Sequence, residues 1–194
     1  IKFQGTVEVI VNVFFSFNET NLGASETRNR LFHDCLSEYA LFLDDDVEPD
    51  DNIIVAYTNA IKQSPDSLGF VGLSKMPIDG RLWTDSIHVS SLYFWHIAEH
   101  CTDPVSWGVT ANLLVKWTSS VSFDRRFPKT GGGEDIDLCI QLGHTLQPVK
   151  DAIIVHPWRD SVLKMNKRMF EWAIGDGMLN AKYPELCYRS LPNS

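Results

Sequence analysis

Residues 39–51, YALFLDDDVEPDD, decide the fold of this chain, because an apolar run leads directly into three carboxylates. A short apolar run between turn and helix signals predicts a buried parallel strand, which we expect to lie centrally in a sheet. Alternation at the strand end puts Asp44 and Asp46 on one side and Asp45 on the other. Two carboxylates about 5 Å apart repel by roughly 3 kcal/mol at an effective dielectric near 20. They therefore favour a bound cation such as Mg²⁺ or Mn²⁺, with a solvated acidic turn as the plain alternative.

The sequence around this acidic run alternates between strand and helix patterns, which is typical of α/β proteins. Ser25 is a suitable N-cap for the first helix, and Asp50 or Asp51 for the second. Predicted strands cover residues 6–17, 41–43, 68–73, 109–115 and 152–155, and the pattern at 87–95 fits a strand or a loop. Predicted helices cover residues 24–37, 53–63, 134–142 and 161–182, the last interrupted or bent around 175–177.

Composition limits the classes of function. The 194 residues, 44% of them hydrophobic, predict one domain over residues 1–194 with a substantial core. A net charge of −8 without a Lys/Arg run argues against a nucleic-acid partner. No apolar window reaches the length of a membrane span and no signal peptide is visible, which favours the cytoplasm without identifying the compartment. Cys35 and Cys139 fall on apolar helical faces and predict reduced core thiols.

A second acidic group follows a glycine loop, in the sequence Gly133-Glu134-Asp135-Ile136-Asp137. Carboxylates in the first turn of a helix interact favourably with the helix dipole by about 0.3–1 kcal/mol each, which is a sufficient structural explanation. A glycine loop that presents a carboxylate is also a way to bring a general base to an acceptor hydroxyl.

Four motifs carry a family resemblance: NLGASETRN (21–29), LFLDDDVEP (41–49), ANLLVKW (111–117) and GGEDIDLCIQL (132–142). In their order and rough spacing they resemble family 2 glycosyltransferases with the GT-A fold, over about residues 6–180. The resemblance implies a GT-A-like α/β fold with a mostly parallel sheet flanked by helices. It also implies inverting transfer of a sugar from a UDP- or GDP-sugar to a carbohydrate or other hydroxyl acceptor, assisted by Mg²⁺ or Mn²⁺.

The resemblance also implies roles for individual residues. Asp135 matches the carboxylate that deprotonates the acceptor, and Glu134 its acceptor-binding neighbour. Asp46 and His156 match metal ligands. The donor-binding set is Arg28, Asp44, Asp45, Asp46 and Asn112, and the acceptor pocket is walled by Trp107 and Gly108.

Two alternatives remain open at this point. The chain starts with one strand before residues 21–25, so the first strand and helix of the family are expected to be missing, by truncation or divergence. That shortening motivates the alternative of a GT-A-like module that binds sugar or nucleotide without turnover, whereas the presence of both carboxylate clusters argues for the enzyme. His96, Glu99 and His100 fit H-x-x-E-H, a zinc-hydrolase pattern, but Cys101-Thr102-Asp103-Pro104 breaks the chain directly after it.

Overall fold

A computed structural model of the chain describes residues 16–77, 80, 82, 85–86, 97–157 and 161–186. The predicted strand at 6–17 and the segment at 87–95 lie outside these residues, apart from Ser16 and Phe17, which are not in a strand. The helices are α1 (Ala24–His33), α2 (Ile53–Gln63), α3 (Ile97–His100), α4 (Glu134–Gln141) and α5 (Val162–Lys182), with a 3-10 turn at Pro184–Leu186. The strands are β1 (Tyr39–Leu43), β2 (Glu48–Pro49), β3 (Gly69–Lys75), β4 (Asn112–Lys116) and β5 (Gln147–Val155).

The five described strands form one mixed sheet in the order β1-β4-β3-β5-β2. Of the four pairings, β3 with β5 is parallel and the other three are antiparallel. The protein is therefore mixed α/β as expected, but the described strands correct the expectation of a mostly parallel sheet. Strand β1 is also antiparallel to β4, lies at the edge of the described sheet and is only half-buried. Its apolar run identified a strand but not its partner or its direction.

Side chains of β3 and β4 alternate between two apolar clusters, one on each face of the sheet. Val71 and Leu113 pack with Phe32 of α1 and Leu138 of α4. On the opposite face, neighbouring residues such as Phe70 pack with Ile53 and Tyr57 of α2 and with Val149 and Ile154 of β5. Helix α1, which carries Arg28, and helix α4, which carries the second acidic motif, thus share one face of the sheet.

A buried amide fixes the centre of the sheet. The Asn112 side chain is fully buried; its Oδ1 accepts a hydrogen bond from the Tyr57 hydroxyl at 2.7 Å, and its Nδ2 donates to the Ala152 carbonyl at 2.8 Å. It occupies the space that the missing side chain of Gly72 leaves, since a methyl group built at Gly72 would lie 2.2 Å from Nδ2. The β3–β5 register shifts directly after Gly72, between it and Leu73.

The ends of the first two helices differ from the prediction. Helix α1 begins after Gly23 and ends at His33, so Ser25 lies buried within it and is not the N-cap. Residues 35 and 36 lie outside the helix. Cys35 is half-buried and Leu36 is fully exposed, so neither belongs to the buried helical face that the pattern predicted. At α2 the N-cap is Asn52, whose backbone N–H donates to Asp50 Oδ1 at 2.8 Å.

Helix α5 is continuous from Val162 to Lys182, capped by the Ser161 hydroxyl, so the expected interruption at 175–177 is absent. Gly175 instead allows α5 to pack closely against the glycine loop, since a methyl group built there would lie 2.1 Å from the Gly132 carbonyl oxygen. Within the described residues, none of the helices combines the length and apolar character needed to cross a bilayer.

Candidate active site

Three potential metal ligands converge where β1 and β5 end. Asp44 and Asp46 follow β1, His156 follows β5, and one ligand atom from each lies within 4.8 Å of the others. The His156 Nε2 is 3.6 Å from Asp44 Oδ2 and 3.8 Å from Asp46 Oδ1. The short strand β2 brings these elements together, because Glu48 pairs with Val155. Asp44 and Asp46 therefore face the same group, as predicted, although both lie after β1 and not within the strand.

The chemistry of the three ligands fits a divalent cation. Burial works to raise the pKa of Asp44, but the hydrogen bond with His156 and the charge of Arg28 outweigh it and lower that pKa. The His156 Nδ1 lies 2.8 Å from the Pro157 carbonyl, to which it donates. That bond leaves Nε2 as the ring atom directed at the carboxylates, the usual arrangement of a metal-bound histidine. Two carboxylates with one imidazole suit Mn²⁺ better than Mg²⁺, which prefers oxygen alone.

Arg28 connects this group to the second acidic motif. One guanidinium nitrogen lies 3.0 Å from Glu134 Oε1 and the other 3.4 Å from Asp44 Oδ1. The guanidinium also lies over the Phe123 ring, 5.6 Å from its centre, which fixes its plane. The two acidic motifs, about ninety residues apart in the sequence, are therefore held side by side by one cation of α1.

The glycine loop before α4 has a backbone that only glycine adopts readily. Gly131, Gly132 and Gly133 have φ angles of 85°, 131° and 87°. The loop turns back on α4 so that the Gly132 N–H donates to Glu134 Oε2 at 2.5 Å. Glu134 is thereby buried and held from two sides, by the loop and by Arg28.

Asp135 is half-buried and faces a cavity of about 140 Å³. Burial, followed by the neighbouring charge of Glu134, raises the pKa of Asp135 to about 7, while Arg28 partly opposes the shift. A carboxyl group with a raised pKa at the wall of a cavity has the basicity that a general base needs near neutral pH.

The cavity lies between α1, the glycine loop and α5. Arg28, Asp44, Glu134 and Asp135 line one part of it, and Trp107 another. Residues 109–111 and the glycine loop also line it, and α5 contributes three residues to which the motifs assign no role: Arg168, Trp172 and Asp176. Their spacing of four residues puts them on one helical face, a signal that was present in the sequence.

Three residues of the resemblance-implied set lie elsewhere. Asn112 contributes no atom to the cavity, because its side chain is buried within the sheet. Gly108 is a packing residue, since a methyl group built there would lie 2.4 Å from Val71 Cγ2. Asp45 is exposed and outside the three-ligand group. Neither the Asn112 side chain nor Gly108 lines the cavity, and their implied binding roles stay predictions.

The zinc-hydrolase pattern gains no support from the described residues. His96 lies outside them, and α3 has only four residues, ending at the exposed His100. In the described part of the chain, neither Glu99 nor His100 belongs to a group of potential metal ligands.

A larger open groove of about 1010 Å³ runs between Phe32, Trp117 and Lys182. It shares no lining residue with the cavity beside Asp135. Neither acidic motif lines this groove, whereas Asp44, Glu134 and Asp135 line the smaller cavity.

Comparison of the sequence with models of known protein families gives no match, and comparison with curated proteins gives none.

Proposed function

We propose that this chain transfers a sugar from a nucleotide-diphosphate sugar to a hydroxyl acceptor with inversion, with Asp135 as the general base. The observation that carries the proposal is the half-buried Asp135 carboxylate, with a raised pKa, on the wall of a cavity whose neighbouring wall includes Asp44 and Arg28. A base and a charge-stabilising group are thus adjacent but separate, as displacement at a sugar carbon requires.

On the donor side, Asp44, Asp46 and His156 would hold the divalent metal. When bound, Mn²⁺ or Mg²⁺ supplies stabilisation of the negative charge on a diphosphate leaving group. Arg28 adds a fixed guanidinium beside Asp44, which is suited to phosphate oxygens.

On the acceptor side, Asp135 takes the proton of the attacking hydroxyl. Glu134 already accepts hydrogen bonds from Arg28 and from the Gly132 N–H, so its part is to fix the start of α4 and to add the charge that keeps Asp135 basic. Trp107 and Trp172 offer flat apolar surfaces of the kind that sugar rings contact. Attack from the Asp135 side, opposite the leaving diphosphate, inverts the anomeric carbon.

The first test compares Asp135→Asn with the unaltered protein. A panel of UDP- and GDP-sugars with methyl glycosides as acceptors is assayed for nucleoside-diphosphate release, with Mn²⁺ present. We expect the variant to lose transfer by about 10²–10⁴-fold, the usual worth of a general base. Calorimetric affinity for UDP or GDP should stay within about twofold, because Asp135 lies apart from the three metal ligands.

A second variant tests the donor side. Asp46→Ala should abolish the Mn²⁺ dependence of nucleotide binding, while Asp51→Asn, at an exposed acidic residue of the same segment, serves as the matched control. Full transfer by Asp135→Asn would remove Asp135 as the base. Metal-dependent binding of a nucleotide without transfer to any acceptor would instead indicate the non-catalytic binding module.

A further inference from the structure

Asp137 is a fully buried carboxylate two residues after Asp135 in α4. Two residues along a helix rotate the side chain by roughly 200°, so Asp137 points away from the face that presents Asp135 to the cavity. Nothing in the proposed chemistry uses Asp137. A buried carboxylate nevertheless needs compensation, because an unpaired charge in an interior is strongly unfavourable.

The compensation comes from the end of α5. Lys182 Nζ lies 2.6 Å from Asp137 Oδ1, the Tyr183 hydroxyl donates to the same oxygen at 2.7 Å, and Gln141 Nε2 donates to Oδ2 at 2.9 Å. Lys182 also lies 2.8 Å from Asp124 Oδ2, so one ammonium group ties α4, α5 and the turn at Asp124 together. We call Asp137, Lys182 and Tyr183 the Asp137 anchor.

Helix α5 also contacts the glycine loop that directly precedes α4. Gly175 packs against the backbone of Gly132 and Gly133, and Arg168 donates to the Thr130 carbonyl. Helix α5 therefore holds the glycine loop through Arg168 and Gly175, and it holds α4 through Lys182 at its C-terminal end. Because α4 has only eight residues, fixing one face of it fixes the direction of the opposite face.

We propose that the Asp137 anchor positions Asp135, with Lys182 and Tyr183 acting as positioning residues that hold α4 in the rotation that presents its base to the cavity. This inference rests on the proposed function for its kinetic consequence. The geometric part, that the anchor sets the surroundings of Asp135, is independent of the reaction.

The kinetic test uses Lys182→Met, with Lys182→Arg as the conservative variant and Lys164→Met, an exposed lysine of the same helix, as the control. We expect Lys182→Met to lower kcat about tenfold or more, since small displacements of a catalytic group are costly. Affinity for UDP or GDP with Mn²⁺ should be unchanged, Lys182→Arg should restore most of kcat, and Lys164→Met should behave as the unaltered protein. Unchanged kcat in folded Lys182→Met, or no rescue by arginine, would overturn the inference.

Tyr183→Phe provides a test that needs neither substrate nor a charge change. It removes one hydrogen bond to Asp137, and carbon-13 NMR then follows the Asp135 carboxyl titration, assigned with Asp135→Asn. We expect the pKa of Asp135 to move down toward its ordinary value, because a less firmly held α4 leaves Asp135 less buried. An Asp135 titration that stays in place would refute positioning by the anchor.

Together, the kinetic and NMR measurements distinguish a failure of the proposed function from a failure of the positioning inference. If the unaltered protein transfers no sugar, the proposed function fails and the NMR titration alone decides the positioning. If Lys182→Met does not fold, as shown by circular dichroism, Tyr183→Phe decides both parts, with kcat and the Asp135 titration measured on the same sample.

Discussion

Replacing Gly175 by alanine tests how closely α5 and the glycine loop are packed. In an ordinary helix interior, Gly→Ala stabilises by roughly 0.5–1 kcal/mol because the unfolded chain loses freedom. Here the new methyl group would lie 2.1 Å from the Gly132 carbonyl oxygen and 2.9 Å from the Gly133 nitrogen. The loop must therefore retreat by roughly 1 Å, and such overpacking typically costs about 1–3 kcal/mol.

We expect the net effect of Gly175→Ala to be a loss of about 1–2 kcal/mol in the free energy of unfolding. For a chain of this length each kcal/mol corresponds to roughly 2–4 °C in Tm. Gly177→Ala is the matched control, in the same helix with nothing within 4 Å of the built methyl group. It should stabilise by about 0.5–1 kcal/mol.

Urea denaturation followed by circular dichroism measures both variants against the unaltered protein. The displaced loop carries α4, so Gly175→Ala should also lower transfer at temperatures where it is fully folded. If Gly175→Ala proves as stable as Gly177→Ala, the close approach of α5 and the loop is not a feature of the protein in solution, and the reasoning about the cavity wall fails with it.

Three further outcomes are expected. Asn112→Ala removes the donor to the Ala152 carbonyl and the nearer acceptor of the Tyr57 hydroxyl, which keeps only the backbone carbonyl of residue 112 at 3.2 Å. We expect a loss of about 1–3 kcal/mol in the free energy of unfolding, measured by urea denaturation; an unchanged stability would contradict the buried amide. Transfer should rise with pH through about 7, because the raised pKa of Asp135 keeps it protonated and inactive at lower pH. The same shift makes the unfolded chain the more readily ionised state, so stability should fall as the pH rises from about 4 to about 7, and Asp135→Asn should remove that fall. Buried Cys139, whose pKa burial raises to about 12, should react with iodoacetamide far more slowly than half-buried Cys35, and equal rates would refute its burial.

Much of the local structure could be predicted from the sequence. Apolar periodicity located α2, β3, α4, β5 and α5, and alternation placed Asp44 and Asp46 on one side of their strand. These features depend on neighbouring residues, which a pattern can report. The direction of β1 could not be predicted, because its partner β4 lies about seventy residues away and an apolar run does not state what it pairs with.

Only part of the candidate site could be predicted, because some of its features depend on residues far apart in the sequence. The acidic residues were singled out by residue type and His156 by the family resemblance, and the structure brings Asp44, Asp46 and His156 together. Asn112 was assigned to donor binding on type and motif, yet its amide completes hydrogen bonds within the sheet. Residues 175–177 were predicted to interrupt or bend α5, whereas the helix is continuous there and Gly175 permits contact with the loop. Both features depend on long-range packing, which the sequence around each residue does not describe.

The fit between Gly72 and Asn112 restricts how this sequence can change during evolution. Any side chain at position 72 takes the space of the Asn112 amide, and any shorter residue at 112 leaves a hole beside Gly72. A smaller residue at 112 would not free the position, because a methyl group at 72 would still lie 2.5 Å from the Ala152 carbonyl oxygen of β5. A random library selected for folded protein would therefore retain glycine at position 72 in nearly all clones, whichever residue stands at 112.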